Sequence, residues 1–164
     1  MPYVLFYQYF PELAKSETRS ITILDQSSSG LPAGEYGFLE MYCDEPECDC
    51  RRVFLYVVSP PEEEPLAVIA YGWENPEFYI KWMGYNSPEL IYELKGPSLN
   101  AASPQSDLAP AILELVEEVL LQDKSYIERL KAHYRMFRDK IDHKPPLKHR
   151  RGKIIKRIIQ RKKS

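Results

Sequence analysis

Three cysteines fall within eight residues, Cys43-Asp44-Glu45-Pro46-Glu47-Cys48-Asp49-Cys50, and the 164-residue chain has no others. Soft thiolates at this C-x4-C-x-C spacing suit Zn2+, which takes tetrahedral sulfur and nitrogen ligands. Pro46 stiffens the loop and lowers the entropy lost in holding it in a binding shape. Three thiolates and one Zn2+ carry a net charge of −1, which Arg51 or Arg52 would offset. Strand alternation lets only one of that pair face the metal side. The acidic neighbours Asp44, Glu45, Glu47 and Asp49 attract a cation but also raise thiol pKa values, so they do not mark a reactive nucleophile. Two other readings compete. Cysteines are often simply buried apolar residues, and a disulfide would strand one thiol and is disfavoured inside cells. An acidic, proline-containing loop fits a metal better than either.

A tetrahedral site needs a fourth ligand, and the histidines are His133, His143 and His149. His133 is the expected one, because it falls mid-helix beside an apolar stripe, flanked by Leu130 and Phe137. A helical histidine that merely packs is the alternative, and Asp44, Asp49 or water are the other candidates. Water in the fourth position would make a zinc-dependent hydrolase. Yet no H-E-x-x-H or deaminase-like H-x-E pattern accompanies the cysteines. No glycine-rich phosphate loop or nucleophile elbow stands out either. A non-enzymatic role is the leading expectation.

The elements that must position these residues read as strands first and helices afterwards. Residues 3–10 alternate weakly as a strand before Pro11. Residues 17–24, 35–43, 51–59 and 66–73 carry β-branched and aromatic residues between turn clusters. In the third of these, Val53, Leu55 and Val57 point one way and Phe54, Tyr56 and Val58 the other, so it belongs in the centre of a sheet. The short connections favour antiparallel pairing. Asn75-Pro76-Glu77 and Ser87-Pro88-Glu89 open two short helices, ended by Gly84 and Gly96. Residues 98–105 read as a loop. Ser106 is the expected cap of a helix over 107–121, and Ser125 with Glu128 forms a capping box for a last helix to about residue 140. The fold class is α+β: an antiparallel sheet of about four strands packed by two C-terminal helices.

Charge divides the chain. Ten of its 22 Lys and Arg residues lie in 144–164, which holds no acid, leaving twelve against 24 acidic residues in 1–143. The body is thus near −12 and the tail near +10. Pro145-Pro146 marks the boundary, giving a zinc-stabilised domain over 1–143 and a basic, flexible tail over 144–164. Such a tail points to a polyanion. The residues expected to contact nucleic acid are Lys148, Arg150, Arg151, Lys153, Lys156, Arg157, Arg161, Lys162 and Lys163. Among them Ile154, Ile155, Ile158 and Ile159 recur along one helical side, too briefly for firm membrane adsorption. A solubilising tail is the plainer reading. Aromatics concentrate in 73–85 (Trp73, Phe78, Tyr79, Trp82, Tyr85), as core lining or as a protein-recognition surface. No apolar run approaches the ~20 residues of a membrane span, and the start lacks the features of a secretory leader. The expected compartment is cytoplasmic.

The stretch 34–43, continuing through Cys48-Asp49-Cys50-Arg51-Arg52-Val53, resembles a family of uncharacterised bacterial proteins. The similarity extends through Tyr71-Gly72-Trp73 and Ser103-Pro104-Gln105-Ser106 to the helix of His133. It covers roughly residues 17–140 and leaves the basic tail outside. The resemblance implies a bacterial, cytoplasmic origin and a defined domain, with no activity attached. The leading functional expectation is a zinc-stabilised binding module whose tail contacts nucleic acid. The alternatives are a protein-interaction factor using residues 73–85 and the hydrolase above.

Overall fold

The computed structural model describes residues 3–25 and 29–143. Six strands form one antiparallel sheet: β1 (Tyr3–Leu5), β2 (Arg19–Ile23), β3 (Gly34–Cys43), β4 (Arg52–Val58), β5 (Ala67–Gly72) and β6 (Ser98–Leu99). Their order is β1-β3-β4-β5-β6, and β2 also pairs with β3. The ten-residue β3 is long enough to take two partners on one edge. Residues 34–38 pair with β2, and Met41 to Cys43 pair with β1. Five helices complete the fold: α1 (Pro11–Glu17), α2 (Pro76–Met83), α3 (Pro88–Lys95), α4 (Ala109–Glu118) and α5 (Lys124–Asp142). The α+β class and antiparallel pairing follow the sequence reading, whereas the counts exceed it. The additions are α1 and the two-residue β6, the latter lying within the stretch read as loop, while the strand read over 3–10 shortens to β1.

Alternation along the central strands sets the core. Tyr36, Phe38, Glu40 and Tyr42 of β3 join Val53, Leu55 and Val57 of β4 on one face. Ile112 and Val116 of α4 and Leu130, Tyr134, Phe137 and Ile141 of α5 complete the same apolar cluster. The opposite face carries a smaller cluster of Phe54, Val68 and Ala70, with Tyr3 stacked on Phe54 at 4.0 Å.

Local chemistry explains where the helices begin. Pro11 stands in the first turn of α1, where its missing N–H costs nothing. That is why residues 3–10 are not one long strand: β1 ends at Leu5, and a 3-10 turn over Phe6–Gln8 leads into the helix. Asn75 caps α2 by accepting from Phe78 N, and Gly84, at φ 93°, ends it in the left-handed region. The capping box at Ser125 is displaced. Asp123 caps α5 instead, its carboxylate accepting from both the N–H and the hydroxyl of Ser125. Ser106 accepts from Leu108 N and donates to the Leu66 carbonyl, so it ties α4 to the start of β5 three residues ahead of the helix proper.

Candidate metal centre

The cysteine loop joins β3 to β4, and strand pairing decides what surrounds it. Cys43 is the last residue of β3 and lies opposite Tyr3 of β1. The chain then folds over a turn in which Cys48 N donates to the Glu45 carbonyl at 3.3 Å. Glu47 (φ 63°) and Arg51 (φ 48°) take left-handed conformations unusual outside glycine. Together these bends return the chain on itself. The Sγ atoms of Cys43, Cys48 and Cys50 end within 4.8 Å of one another, close enough to hold a metal ion. Sulfurs sharing a tetrahedral zinc with ~2.3 Å bonds would stand about 3.8 Å apart, a small contraction from this arrangement. All three cysteines are free; Cys43 and Cys50 are buried and Cys48 is half-buried.

Helix α5 grips this loop with one stripe of side chains, Tyr134, Arg138 and Asp142, spaced four residues apart. Tyr134 accepts from Arg51 N at 3.1 Å, and Asp142 accepts from Glu47 N at 2.8 Å. Arg138 donates to the carbonyls of Glu45 (3.0 Å), Cys48 (2.7 Å) and Cys43 (2.6 Å). The loop backbone is thereby held at both ends and in the middle, before any ligand is considered.

Arg138 is only 8% exposed, and it has no carboxylate partner among the described residues. Its Nε has no hydrogen-bond partner among the described residues. A buried guanidinium answered only by carbonyl dipoles needs negative charge nearby. It binds the backbone carbonyls of Cys43 and Cys48, and the loop it clamps carries three sulfurs that become negative as thiolates.

The thiols are already uneven. A hydrogen bond from Cys43 lowers the Cys50 pKa to about 6; bonds from Tyr3 and Cys48 and the charge of Arg52 add to it, against the effect of burial. Cys43 is pushed far up, because its proton is held in the bond to Cys50 and because it is buried. Burial and the Cys50 charge raise Cys48. The cluster therefore gathers one thiolate first, and a metal ion would displace the remaining protons. Of the arginine pair, Arg52 is the one on the sulfur side. It donates to the Tyr3 hydroxyl at 3.2 Å, and that hydroxyl lies 3.8 Å from Cys50 Sγ. Arg51 turns away to Asp49 at 2.9 Å and lies over the Phe78 ring.

His133 is not brought to the sulfurs. Both ring nitrogens are engaged elsewhere, Nδ1 with Glu40 at 2.7 Å and Nε2 with Glu17 at 3.1 Å, while the ring stacks on Phe6. The expected fourth ligand is thus corrected: His133 belongs to a buried charge network that pins α5 and α1 to β3. The Tyr42 hydroxyl donates to the same Glu40 oxygen at 2.6 Å. Burial opposes a charged imidazole, yet the bonds and charges of Glu40 and then Glu17 outweigh it and raise the His133 pKa. A signal for this was present in the sequence. Glu40 falls at the same strand parity as Phe38 and Tyr42, and a carboxylate on a core face requires a partner. Arg138 gave no such signal, because its acceptors are loop carbonyls some 90 residues away in sequence.

The other expected site residues separate clearly. Lys148, Arg150, Arg151, Lys153, Lys156, Arg157, Arg161, Lys162 and Lys163 lie outside the described residues, as does His149. The aromatic stretch 73–85 divides between core and surface. Tyr79 is fully buried and its hydroxyl donates to the Arg51 carbonyl at 2.9 Å, bracing the loop. A Cβ at position 72 would collide with that hydroxyl, which accounts for Gly72. Trp82 and Tyr85 are exposed. No helix among the described residues is long and apolar enough to cross a membrane. Comparison with known protein families, curated proteins and solved structures finds no match, so the centre is interpreted from its own geometry.

Proposed function

We propose that the chain is a non-enzymatic, zinc-stabilised binding module whose basic residues 144–164 contact nucleic acid. One observation carries the zinc assignment: a single loop brings three sulfurs within 4.8 Å of one another. Thiolate softness selects Zn2+ among common divalent ions, and Cys43, Cys48 and Cys50 would hold it. The charge of −1 on such a centre is answered by Arg52 and by the unpaired Arg138. The ion would join the end of β3 to the start of β4 and add to the hold that α5 has on the loop. The nucleic-acid reading rests on ten cations in the last 21 residues of the sequence.

Metal analysis of the purified full chain tests the zinc. One equivalent is expected, falling to none in Cys48→Ser, and a metal-free wild type would end the proposal. At free zinc one hundred times the dissociation constant, binding adds about 2.7 kcal/mol of stability, readable as a drop in Tm on chelation. For the tail, neutralising about six phosphates gives a log–log salt slope of roughly −5 on duplex DNA. Affinity that ignores salt would remove it.

A second reading has its own observation. Trp82 and Tyr85 are 41% and 57% exposed, an aromatic pair suited to a protein contact. A partner retained without residues 144–164 but lost with Trp82→Ala would favour that reading.

A further inference from the structure

We infer that the folded body carries its own site for a nucleoside phosphate, in the cavity between the cysteine loop, the start of α2 and α5. This rests on the nucleic-acid reading above and gives it a seat outside the basic tail. The cavity measures about 350 Å3, within the range of ligand pockets.

Its charged walls are of two kinds. Arg51 is committed within the chain: Asp49 receives it twice, at 2.9 and 3.0 Å, Glu74 lies at 3.6 Å, and Phe78 covers it at 4.5 Å. Lys131 and Arg135 are not committed in this way. They lie one turn apart on α5 and both line the cavity. Among the described residues Lys131 pairs only with Glu128, whose side chain is 66% exposed, a contact of little strength. Arg135 is exposed and makes no ion pair or hydrogen bond among the described residues. Two cations are therefore available to a phosphate.

Trp73 supplies the flat surface. Tyr134 meets it edge-on, with ring centroids 5.1 Å apart, and Tyr134 is itself fixed by its bond from Arg51 N. The indole is thus oriented before a ligand arrives. An aromatic platform beside paired cations is what a base and its phosphate require, since stacking is available to every base. Asp49 and Glu74, which also line the cavity, have lone pairs left for exocyclic amino groups, and they disfavour a bare inorganic anion. The larger cavity, about 620 Å3 beside α3, presents Glu89 and Glu93 and offers no such cations. In sequence, α5 leads directly into the basic residues 144–164. A single strand neutralised there can therefore place one base against Trp73.

The test uses the full chain with Trp82→Phe, which leaves Trp73 as the sole indole. An end-labelled oligodeoxyadenylate of about a dozen nucleotides is titrated while its anisotropy and the Trp73 emission are followed together. The two signals should saturate together, with the emission quenched. Lys131→Gln with Arg135→Gln should weaken binding about tenfold and flatten the salt slope by roughly 0.7, the one phosphate of a single strand that the pair holds. Anisotropy that saturates while Trp73 emission stays unchanged overturns the cavity site and leaves the tail reading standing. No anisotropy change overturns both. Adenosine monophosphate forms a separate arm: quenching at the same concentration supports a free nucleotide as the occupant, and quenching by the oligonucleotide alone supports a strand.

Discussion

His133 and Arg138 lie five residues apart on α5, both buried and both able to carry positive charge, and their surroundings answer that charge differently. Around His133 the answer lies within the chain. Glu40 and Glu17 flank the ring, Tyr42 shares Glu40, and Phe6 closes one face. Around Arg138 the chain offers three carbonyls and the Tyr134 ring, and no carboxylate among the described residues. The loop that Arg138 clamps carries the three cysteines, which bring negative charge only when they are deprotonated. The first region is closed electrostatically by folding alone. The second is tied to the ionisation of the thiols, so with the proposed metal bound, stability at that end would be linked to metal and pH while the other end carries its own partners.

Replacing His133 should separate the two regions most sharply. His133→Phe keeps a ring against Phe6 but leaves the Glu40 carboxylate buried with only a hydroxyl for company, at a cost of about 3–5 kcal/mol. Metal content should stay at the wild-type value. Adding Glu40→Gln removes the stranded charge and should recover much of that loss. The wild type should also show a particular pH dependence. Its folded-state His133 pKa lies above the ordinary ~6.5, so the stabilisation is full below that value and fades as pH rises through the folded-state one. Denaturation from pH 6 upward should show this decline in the wild type and not in the doubly substituted chain. The proposed metal centre would have the opposite sign, since protons compete with metal for thiolates as pH falls. A wild type whose His133 contribution grows with pH would mean that the network is not charged as described.

Those two regions were unequally legible. The cysteine cluster and strands β3 to β5 were readable because each is a local pattern: three thiols in one loop, and apolar residues at period two. Helix α2 was readable for the same reason, through Asn75 and Gly84. Helix α1 was not, since Pro11 marks the end of a strand as readily as the first turn of a helix. The start of α5 was misplaced by two residues, because Asp123 binds both polar groups of Ser125 and leaves the apparent capping box without its role. What the sequence concealed most fully was the set of partners. His133 meets carboxylates 93 and 116 residues away, and Arg138 meets carbonyls, which have no side-chain signature.

Arg138→Met tests the other member of the comparison. It removes one donor from each of the carbonyls of Cys43, Glu45 and Cys48, of which Glu45 keeps Cys48 N and Cys48 keeps the Tyr134 hydroxyl, for an expected loss of about 3 kcal/mol. Because its charge also opposes that of a metal–thiolate centre, metal affinity should fall roughly tenfold, about 1.4 kcal/mol, measured by competition with a chelator. Arg138→Lys, which keeps the charge without the guanidinium fork, should recover affinity more fully than stability. Equal recovery of both would reduce Arg138 to a backbone clamp.

The smallest effect is expected at Asp142, the last side chain of the same stripe. Its carboxylate accepts from Glu47 N in an exposed setting, where one hydrogen bond is worth about 0.5–1.5 kcal/mol. Glu47 is also one of the two left-handed residues of the loop, so this bond helps hold a strained conformation. Asp142→Ala should therefore cost about 1 kcal/mol and lower metal affinity less than Arg138→Met does. The contrast isolates what the buried cation contributes. Both side chains hold loop backbone, but only Arg138 brings positive charge to the sulfurs, whereas Asp142 brings negative charge. If the two substitutions weakened metal binding equally, order in the loop would account for the affinity, and the unpaired guanidinium would have no electrostatic part in it.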